Sequence, residues 1–410
     1  MYKLRKKIYV AAGYNTTYFG SGRKEFDPSK PMRPFEEYLK ETSEGSYQQL
    51  PNKGIIEEGF IGSFMSGRFL KQANLPGFLP FMIPELLYKP CTGIEGACGT
   101  GGRTIATGLR SILAETADVV FVCGFEMQNT VKAVYGADVL AGAGHYSKER
   151  KAGDAHFFPG LFAKRAGAYY QKYGYELARQ GMARWYEQCI LNARKNPKAQ
   201  EFHNQSPDLF ALGMTKPKPE IFVPYLNPYD CSKVTDGASS LILLSEEGLL
   251  KSGLKRSEVV EIVGIGEAEG DITIPPEDET TLSTTVVAVQ KAFESAGIGK
   301  EDLGLLEIHD CFTINALLAF EAIGFATPGK GAQFIIEGQS LPTGSIPTNL
   351  SGGLGGFGHP TGASGVRQMV DLLHQLTGKA ANQIDIKKNV GMMISMGGND
   401  KTVTALIVKV

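Results

Sequence analysis

Residues 97–124 read ACGTGGRTIATGLRSILAETADVVFVCG and contain a cysteine, a helical pattern and a buried-strand pattern in succession. Apolar residues recur from Ile105 to Leu113 at the spacing of one helix face, so we expect a helix over Gly99 to Glu115. The continuous apolar run from Ala117 to Gly124 is typical of a central strand that is covered on both faces. A helix followed by such a strand predicts an α/β fold.

Strand-like and helix-like runs continue to alternate along the chain. The predicted strands are Lys7 to Gly13, Ala238 to Ser245, Val259 to Gly266, Leu305 to Ile308, Val390 to Ser395 and Val403 to Val410, and the predicted helices are Thr284 to Ala296 and Ile314 to Ile323. The run VVEIVGIG from Val259 resembles the opening run KIYVAAG, which indicates a duplicated half. We therefore expect an N-terminal half, 1–256, and a C-terminal half, 257–410.

Two segments break this alternation. The segment 127–230 is rich in Tyr, Lys, Arg and Pro, and it contains a helix-like stretch from Ala163 to Tyr173. An insertion of this length usually covers a site, so we expect a loop domain here. The segment from Gly20 to Leu50 is polar and carries three prolines, and we interpret it as an extended surface excursion.

The composition excludes several classes of function. The chain has 410 residues with 42 Lys and Arg against 43 Asp and Glu, so it lacks the broad positive charge with which proteins bind nucleic acid or anionic membranes. Its six cysteines form no C-x-x-C pair, which favours free thiols in a reducing cytosol. No run approaches the roughly 20 apolar residues of a membrane span. We expect a cytoplasmic protein.

Two glycine-rich stretches carry candidate catalytic residues. Cys98 lies in EGACGTGG (95–102), directly before the predicted helix, whose N-terminus would lower the pKa of the thiol and make it a nucleophile. The alternative is a small buried cysteine that fills space. His359 lies in GGLGGFGHPTGASG (352–365), where tight backbone folding would present the imidazole as a base. The alternative is a phosphate-binding glycine loop, but no P-loop pattern is present.

Two further motifs follow predicted strands of the C-terminal half. His309, Asp310, Cys311 and Phe312 come after the strand that ends at Ile308, where α/β sheets commonly bind ligands. A capping aspartate and a core cysteine are the alternative interpretation. The segment 395–398 reads SMGG and offers backbone N–H groups as oxyanion donors, or else forms an ordinary turn.

These motifs together resemble the thiolase superfamily over nearly the whole chain. GACGTGG around Cys98 is similar to the nucleophile motif, and GHPTGASG around His359 is similar to the family's most specific motif. Most thiolases carry Asn-Glu-x-Phe where this chain has HDCF (309–312), and Cys-x-Gly where it has SMG (395–397). The HDCF form resembles the sterol-carrier-protein-type thiolases and their archaeal and bacterial relatives, in which the cysteine of this motif is the acid/base.

The resemblance implies a fold and an activity. The implied thiolase fold has two duplicated βαβαβαββ halves in five αβαβα layers, with a loop domain inserted in the first half. The implied enzyme is an acyl-CoA C-acyltransferase that cleaves a 3-ketoacyl-CoA, or runs the reverse Claisen condensation, through an acyl intermediate on Cys98. A condensing-only enzyme and a catalytically silent acyl-CoA-binding subunit are the alternatives.

The resemblance also implies roles for individual residues. His359 assists Cys98, Cys311 is the acid/base and His309 stabilises the enolate, while the N–H groups of Cys98 and Gly397 hold the oxyanion. The implied substrate or coenzyme contacts are Ser232, Phe312 and Phe357, although Ser232 can also be interpreted as a turn residue.

Coenzyme A is then a substrate, and neither a permanently bound cofactor nor a metal is expected. The expected partners are acyl-CoA and CoA, without nucleic acid or membrane. A homodimer or tetramer is expected, and a small zinc-ribbon/OB-fold protein is a candidate companion.

Overall fold

The computed structural model describes residues 3–151 and 153–410. Nine strands form one hydrogen-bonded sheet in the order β3-β2-β4-β5-β1-β6-β9-β8-β7. The strands are β1 (Ile8–Asn15), β2 (Glu58–Gly62), β3 (Cys91–Ile94), β4 (Val119–Glu126), β5 (Gly237–Leu244), β6 (Val260–Glu269), β7 (Leu305–Glu307), β8 (Val390–Gly397) and β9 (Thr402–Lys409). The predicted strands are therefore present within a few residues of their expected bounds.

The pairing pattern of the sheet is repeated. In the first half, β2 is parallel to β4, β4 is antiparallel to β5, and β5 is antiparallel to β1. In the second half, β7 is parallel to β8, β8 is antiparallel to β9, and β9 is antiparallel to β6. The antiparallel pair β1 and β6 joins the halves, with Ile8 opposite Ile262. This repeat supports a boundary between β5 and β6, and we propose 256/257 as the division between the two halves.

In the described part of the chain, fifteen α-helices pack on the faces of this sheet or on other helices. They are α1 (Phe35–Tyr47), α2 (Ser66–Phe69), α3 (Leu79–Met82), α4 (Thr100–Leu113), α5 (Ala133–Leu140), α6 (Tyr146–Glu149), α7 (Phe157–Tyr173), α8 (Tyr175–Ala193), α9 (Leu209–Gly213), α10 (Glu246–Ser252), α11 (Ser283–Ala296), α12 (Thr313–Ile323), α13 (Gly331–Ile336), α14 (Gly353–Gly356) and α15 (Ser364–Leu376) in the described part of the chain.

Helices α4 and α15 form the middle layer of the molecule. Helix α4 packs on β2 and β4 of the first half and on β8 and β9 of the second, while α15 packs on β1, β5, β7 and β8. Helix α1 covers the outer face of the first half, and α11 covers that of the second. The two halves of the continuous sheet lie on opposite sides of α4 and α15, so the order of layers is αβαβα. This five-layered α/β arrangement confirms the predicted fold class.

Gly101 and Gly102, in the first turn of α4, bring this helix against α15 and β8, respectively. A Cβ placed on Gly101 would lie 2.6 Å from the backbone nitrogen of Val366, and one on Gly102 would lie 2.6 Å from the Cβ of Ser395. Side chains cannot approach this closely, so only glycine permits the contact. The GTGG run therefore brings the turn of Cys98 against the loop that carries His359.

The prediction of an extended surface excursion from Gly20 to Leu50 is wrong over much of its length. Residues Phe35–Tyr47 form helix α1, with Tyr38 and Leu39 buried. The rest of its buried face consists of hydroxyl side chains, and Thr42 donates to Ser240 of β5 at 3.0 Å. Because hydrogen bonds rather than apolar contacts hold this part of the face, an apolar periodicity does not reveal the helix.

Within the described residues of the inserted segment 127–230, three helices have eight or more residues: α5, α7 and α8. Helix α8 packs on α12 and α13 of the C-terminal half, and α7 packs on α5 and α12. The segment therefore lies over the end of the sheet where β7 leads into α12. Among the described residues, no helix combines the length and the apolar character needed to cross a membrane.

Candidate active site

The candidate catalytic residues meet at one end of the sheet. Cys98 lies in the turn Ala97–Gly99 before α4, Cys311 follows β7, His359 precedes α15, and Gly398 follows β8. All four line a cavity of about 350 Å³. His309 lies beside them, with its imidazole ring centroid 5.1 Å from that of His359. The fold thus gathers residues that are far apart in the sequence.

The environment of Cys98 keeps its thiol protonated. Its side chain is buried, and the backbone N–H groups of Cys98 and Gly398 point toward the sulfur. Burial, followed by the negative charge of Glu126, nevertheless raises the pKa of the Cys98 thiol to about 12. The predicted lowering of this pKa by a helix N-terminus is therefore wrong for the free protein, because desolvation outweighs the two N–H groups.

We assign the proton of His359 to Nδ1 from the hydrogen bonds of Ser364. The Ser364 hydroxyl donates to the carbonyl oxygen of Pro360 at 3.0 Å, so its oxygen accepts from Nδ1–H of His359 at 2.7 Å. The Nε2 atom then keeps its lone pair, and it has no hydrogen-bond partner in the described chain. Burial, assisted by the charge of Arg367, lowers the pKa of His359 to about 3. His359 is thus a neutral proton acceptor.

His309 holds the opposite tautomer. Its Nδ1 accepts a long hydrogen bond, 3.4 Å, from the backbone N–H of Met396, so the proton lies on Nε2. That N–H is buried and has no acceptor among the described residues. Burial, then the neighbouring His359 and Arg367, lowers the pKa of His309 well below its ordinary value. His309 is therefore a neutral hydrogen-bond donor aimed into the site.

Cys311 supplies a second thiol to the same cavity. The side-chain amide of Asn315, one helical turn later, donates to its sulfur at 3.4 Å. Burial, followed by the neighbouring charge that Cys98 would carry, raises the pKa of Cys311 well above its ordinary value. The resting residue is therefore a thiol that holds a proton.

Asp310 anchors the HDCF motif to the loop domain and to the glycine-rich segment. Its buried carboxylate accepts from Nε1 of Trp185 at 3.0 Å, from Sγ of Cys189 at 3.3 Å and from the backbone N–H of Leu354 at 2.8 Å. Trp185 and Cys189 lie one helical turn apart on α8. Asp310 thus fixes the positions of His309 and Cys311, a role for which the sequence offered only helix capping.

Glu126 is a site residue that the sequence did not indicate. This buried carboxylate, at the end of β4, accepts from the backbone N–H of Phe64 at 2.7 Å and from the hydroxyl of Thr361 at 3.0 Å. It joins β4 to the loop that carries His359. A polar residue at the end of a buried strand was the only signal for it.

Two of the implied binding residues line the cavity. The Phe312 ring lies against Phe162, and the backbone N–H of Ser232 donates to the carbonyl oxygen of Cys311 at 2.9 Å. Phe357, which is predicted to contact the substrate, does not line this cavity. Its buried ring packs edge-on against Tyr18 at 4.8 Å and faces a different cavity.

The residues of the SMGG segment also take different places from those expected. Gly398, rather than Gly397, lines the cavity and directs its N–H at Cys98, which corrects the predicted oxyanion donor. Ser395 is fully buried, and its hydroxyl oxygen lies 3.4 Å from the backbone nitrogen of Gly102. Ser395 therefore packs between α4 and β8.

Three of these residues could also hold a metal ion. The ligand atoms of Cys98, His309 and His359 lie within 4.8 Å of one another, and one sulfur with two nitrogens would suit a soft metal such as zinc. Coordination through Nε2 of His309 would require this atom to give up the proton that the Met396 contact places there. We therefore interpret the cluster as an acid–base site.

Sequence comparisons find similarity to thiolases over most of the chain. A family model described as thiolase C-terminal domain-like matches residues 266–409. Acetyl-CoA acetyltransferase of Methanothermobacter thermautotrophicus is 29% identical over 90% of this chain and 92% of its own. Human sterol carrier protein 2 is 27% identical over 77% of this chain and 58% of its own.

Two solved structures share the fold. The Ltp2-ChsH2(DUF35) aldolase has a TM-score of 0.76 at 17% identity, covering 99% of this chain and 98% of that one. Human mitochondrial 3-ketoacyl-CoA thiolase in complex with CoA has a TM-score of 0.67 at 17% identity, covering 100% of this chain and 99% of that one. At this identity the likeness concerns the fold alone.

Proposed function

The chain belongs to the thiolase superfamily, with similarity to its sterol-carrier-protein-2-like members, and we propose that it transfers acyl groups through a thioester on Cys98. The observation that carries this proposal is the placement of two buried histidines, to which we assign opposite tautomers, beside one thiol. His359 offers a lone pair and His309 offers an N–H, at 5.1 Å between ring centroids. One can accept the proton of the thiol while the other stabilises developing negative charge.

Acylation begins from a neutral pair. With the thiol pKa at about 12 and the pKa of His359 at about 3, the free enzyme holds thiol and imidazole rather than an ion pair. Sγ of Cys98 attacks the carbonyl carbon as its proton passes to Nε2 of His359. The N–H groups of Cys98 and Gly398 stabilise the resulting oxyanion.

Cleavage of a 3-ketoacyl-CoA then needs a proton for the leaving carbon. Attack of Cys98 on the 3-keto carbon breaks the bond to the α-carbon, and the enolate of acetyl-CoA leaves. In this proposal Nε2–H of His309 donates to the enolate oxygen, and the Cys311 thiol protonates the α-carbon. The raised pKa of Cys311 suits this role, since it keeps the proton available. Coenzyme A then accepts the acyl group from Cys98.

In the condensation direction Cys311 acts as the base. It removes a proton from the α-carbon of a second thioester while His309 stabilises the enolate, and the enolate attacks the acyl carbonyl on Cys98. This order of two half-reactions predicts ping-pong kinetics.

The proposal also covers the contact with coenzyme A, the oligomeric state and a companion protein. Ser232 and Lys233 line the cavity and are our candidates for the contact with the pantetheine arm. We propose CoA and acyl-CoA as substrates, without a permanently bound cofactor, in a cytoplasmic homodimer or tetramer. The similarity in fold to a DUF35-containing aldolase complex supports the proposal of a small companion protein of the zinc-ribbon/OB-fold type.

A condensing-only enzyme and a silent acyl-CoA-binding subunit are the rival functions. Incubation with a 3-ketoacyl-CoA and CoA distinguishes a thiolase from a condensing-only enzyme, because only a thiolase releases a shortened acyl-CoA. Measurement of the intact protein mass after incubation with acyl-CoA distinguishes an active enzyme from a silent acyl-CoA-binding subunit, because the silent subunit does not gain the mass of an acyl group. Cys98→Ala should abolish both signals, and substantial thiolysis by that variant would refute the role of Cys98.

A further inference from the structure

Two contrasting sets of residues line the cavity. Helix α5 presents Ala133, Gly136, Ala137 and Leu140, which recur at i, i+3, i+4 and i+7 and share one face of the helix. Three of these four residues are small. This face, the small-residue wall, therefore leaves space beside the reacting groups.

The second set of lining residues, the aromatic wall, begins next to Cys311 in the sequence. The Phe312 ring, adjacent to Cys311, stacks on Phe162 with centroids 4.3 Å apart and an interplanar angle of 19°. Phe158 continues the series, 6.4 Å from Phe162 at an angle of 25°. These three nearly parallel rings form an apolar surface of the cavity next to Cys311, and ring faces of this kind pack well against bulky apolar groups.

The cavity provides few side chains of opposite charge that could bind a charged acyl group. Among the described lining residues, Lys233 is the only lysine, arginine, aspartate or glutamate, and His156 is the one imidazole besides that of His359. The ammonium group of Lys233 is already paired with Glu201 at 2.6 Å. A carboxylate at the far end of an acyl chain would therefore lose its hydration without gaining an unpaired lysine or arginine among these residues, which is costly.

From these walls we infer that the enzyme, given the proposed function on which this inference rests, acts on uncharged acyl groups about as large as a hexanoyl chain or a phenyl ring. Acetyl would leave the aromatic wall uncovered, whereas a larger apolar group would bury it. Each buried methylene improves transition-state binding about fourfold. The small-residue wall determines the size limit, because a side chain added at Gly136 would occupy the space of the substrate.

Gly136 offers a clean test of the size limit. Its φ is not positive, and a Cβ placed there meets only Cγ2 of Val131, at 3.8 Å, so a larger residue does not strain the backbone. Gly160 of α7 is the matched control: it is also a helical glycine, a Cβ there meets nothing within 4 Å, and it does not line the cavity. Gly136→Leu and Gly160→Leu thus make the same change inside and outside the cavity.

The experiment measures the rate of Cys98 acylation by quenched-flow mass spectrometry with acetyl-, hexanoyl-, phenylacetyl- and succinyl-CoA. The wild type should acylate at least tenfold faster with hexanoyl or phenylacetyl than with acetyl, and slowest with succinyl. Gly136→Leu should lower the ratio of the bulky rates to the acetyl rate at least tenfold, and Gly160→Leu should keep the wild-type ratio.

The outcomes separate the inference from the proposed function. If acetyl- or succinyl-CoA acylates the wild type fastest, or if Gly136→Leu slows all four thioesters equally, the inference is wrong while the acyl-Cys98 chemistry stands. If no thioester labels Cys98, the proposed function fails and the inference fails with it. The wild-type series decides the question even if a variant does not fold.

Discussion

Replacing Ser364 with alanine should slow acylation of Cys98 without changing any group that touches the substrate. Both Ser364 and His359 are buried, and the 2.7 Å bond between them fixes the proton on Nδ1. Without the hydroxyl oxygen, the imidazole either keeps an unsatisfied buried N–H or moves the proton to Nε2. In the second case its N–H faces Cys98, and it can no longer accept the proton of the thiol.

The magnitude follows from the cost of the unsatisfied group. A buried donor without an acceptor costs about 1–3 kcal/mol. If that cost falls on the acylation transition state, the rate constant drops by about 5-fold to 150-fold. Ser364→Thr keeps a hydroxyl and should restore much of the rate. The assay is the single-turnover rate of Cys98 acylation at pH 7.5 with saturating hexanoyl-CoA.

Ser340→Ala is the matched control. Ser340 is fully buried, and its hydroxyl donates to Oε1 of Gln188 at 2.7 Å, outside the residues that line the cavity. The two alanine variants should therefore lose similar stability, but only Ser364→Ala should lose acylation rate. A wild-type rate in Ser364→Ala, or an equal slowing in both variants, would refute the tautomer argument.

Three further predictions concern other residues of the site. Cys311→Ala should still form acyl-Cys98 but lose about 10²- to 10⁴-fold in the carbon–carbon step, measured as thiolysis of a 3-ketoacyl-CoA; unchanged thiolysis would exclude the acid/base role. Because the pKa of His359 is lowered to about 3, the stability it contributes is complete above pH 6.5 and disappears as the pH falls toward 3. Urea unfolding should therefore show that the wild type loses about 2 kcal/mol more between pH 7 and pH 5 than His359→Asn, and parallel losses would contradict this. Asp310→Ala should lower the free energy of unfolding by about 3 kcal/mol in denaturant titrations, since three buried donors lose their acceptor; a change below about 1 kcal/mol would show that the HDCF motif is held by other contacts.

Local patterns in the sequence were sufficient to predict most strands of the sheet. The apolar runs at 117–124 and 238–245 correspond to β4 and β5, and the helical spacing after Cys98 corresponds to α4. Such elements are predictable because their buried faces are apolar and repeat at a regular period. Helix α1 was not predictable in this way, since Thr42, Ser43 and Ser46 form much of its buried face.

The residues of the catalytic motifs could be identified from the sequence, but the electrostatic environment of these residues could not. The glycines around Cys98 and His359 indicated close backbone approach, and the contact of Gly101 with Val366 explains it. The raised pKa of Cys98 depends on burial and on Glu126, which is distant in the sequence and reaches the site only in the folded chain. Likewise, Gly398 rather than Gly397 faces the sulfur because of the backbone turn after β8, where Gly398 has a φ of +64°.

Acyl transfer through Cys98 is tested most directly by peptide mass spectrometry after acid quenching of the enzyme with hexanoyl-CoA. We expect one hexanoyl group on the peptide that contains Cys98, absent in Cys98→Ala, present in Cys311→Ala and removed by added CoA. A hexanoyl group on Cys311 instead, or no covalent adduct during active turnover, would contradict it.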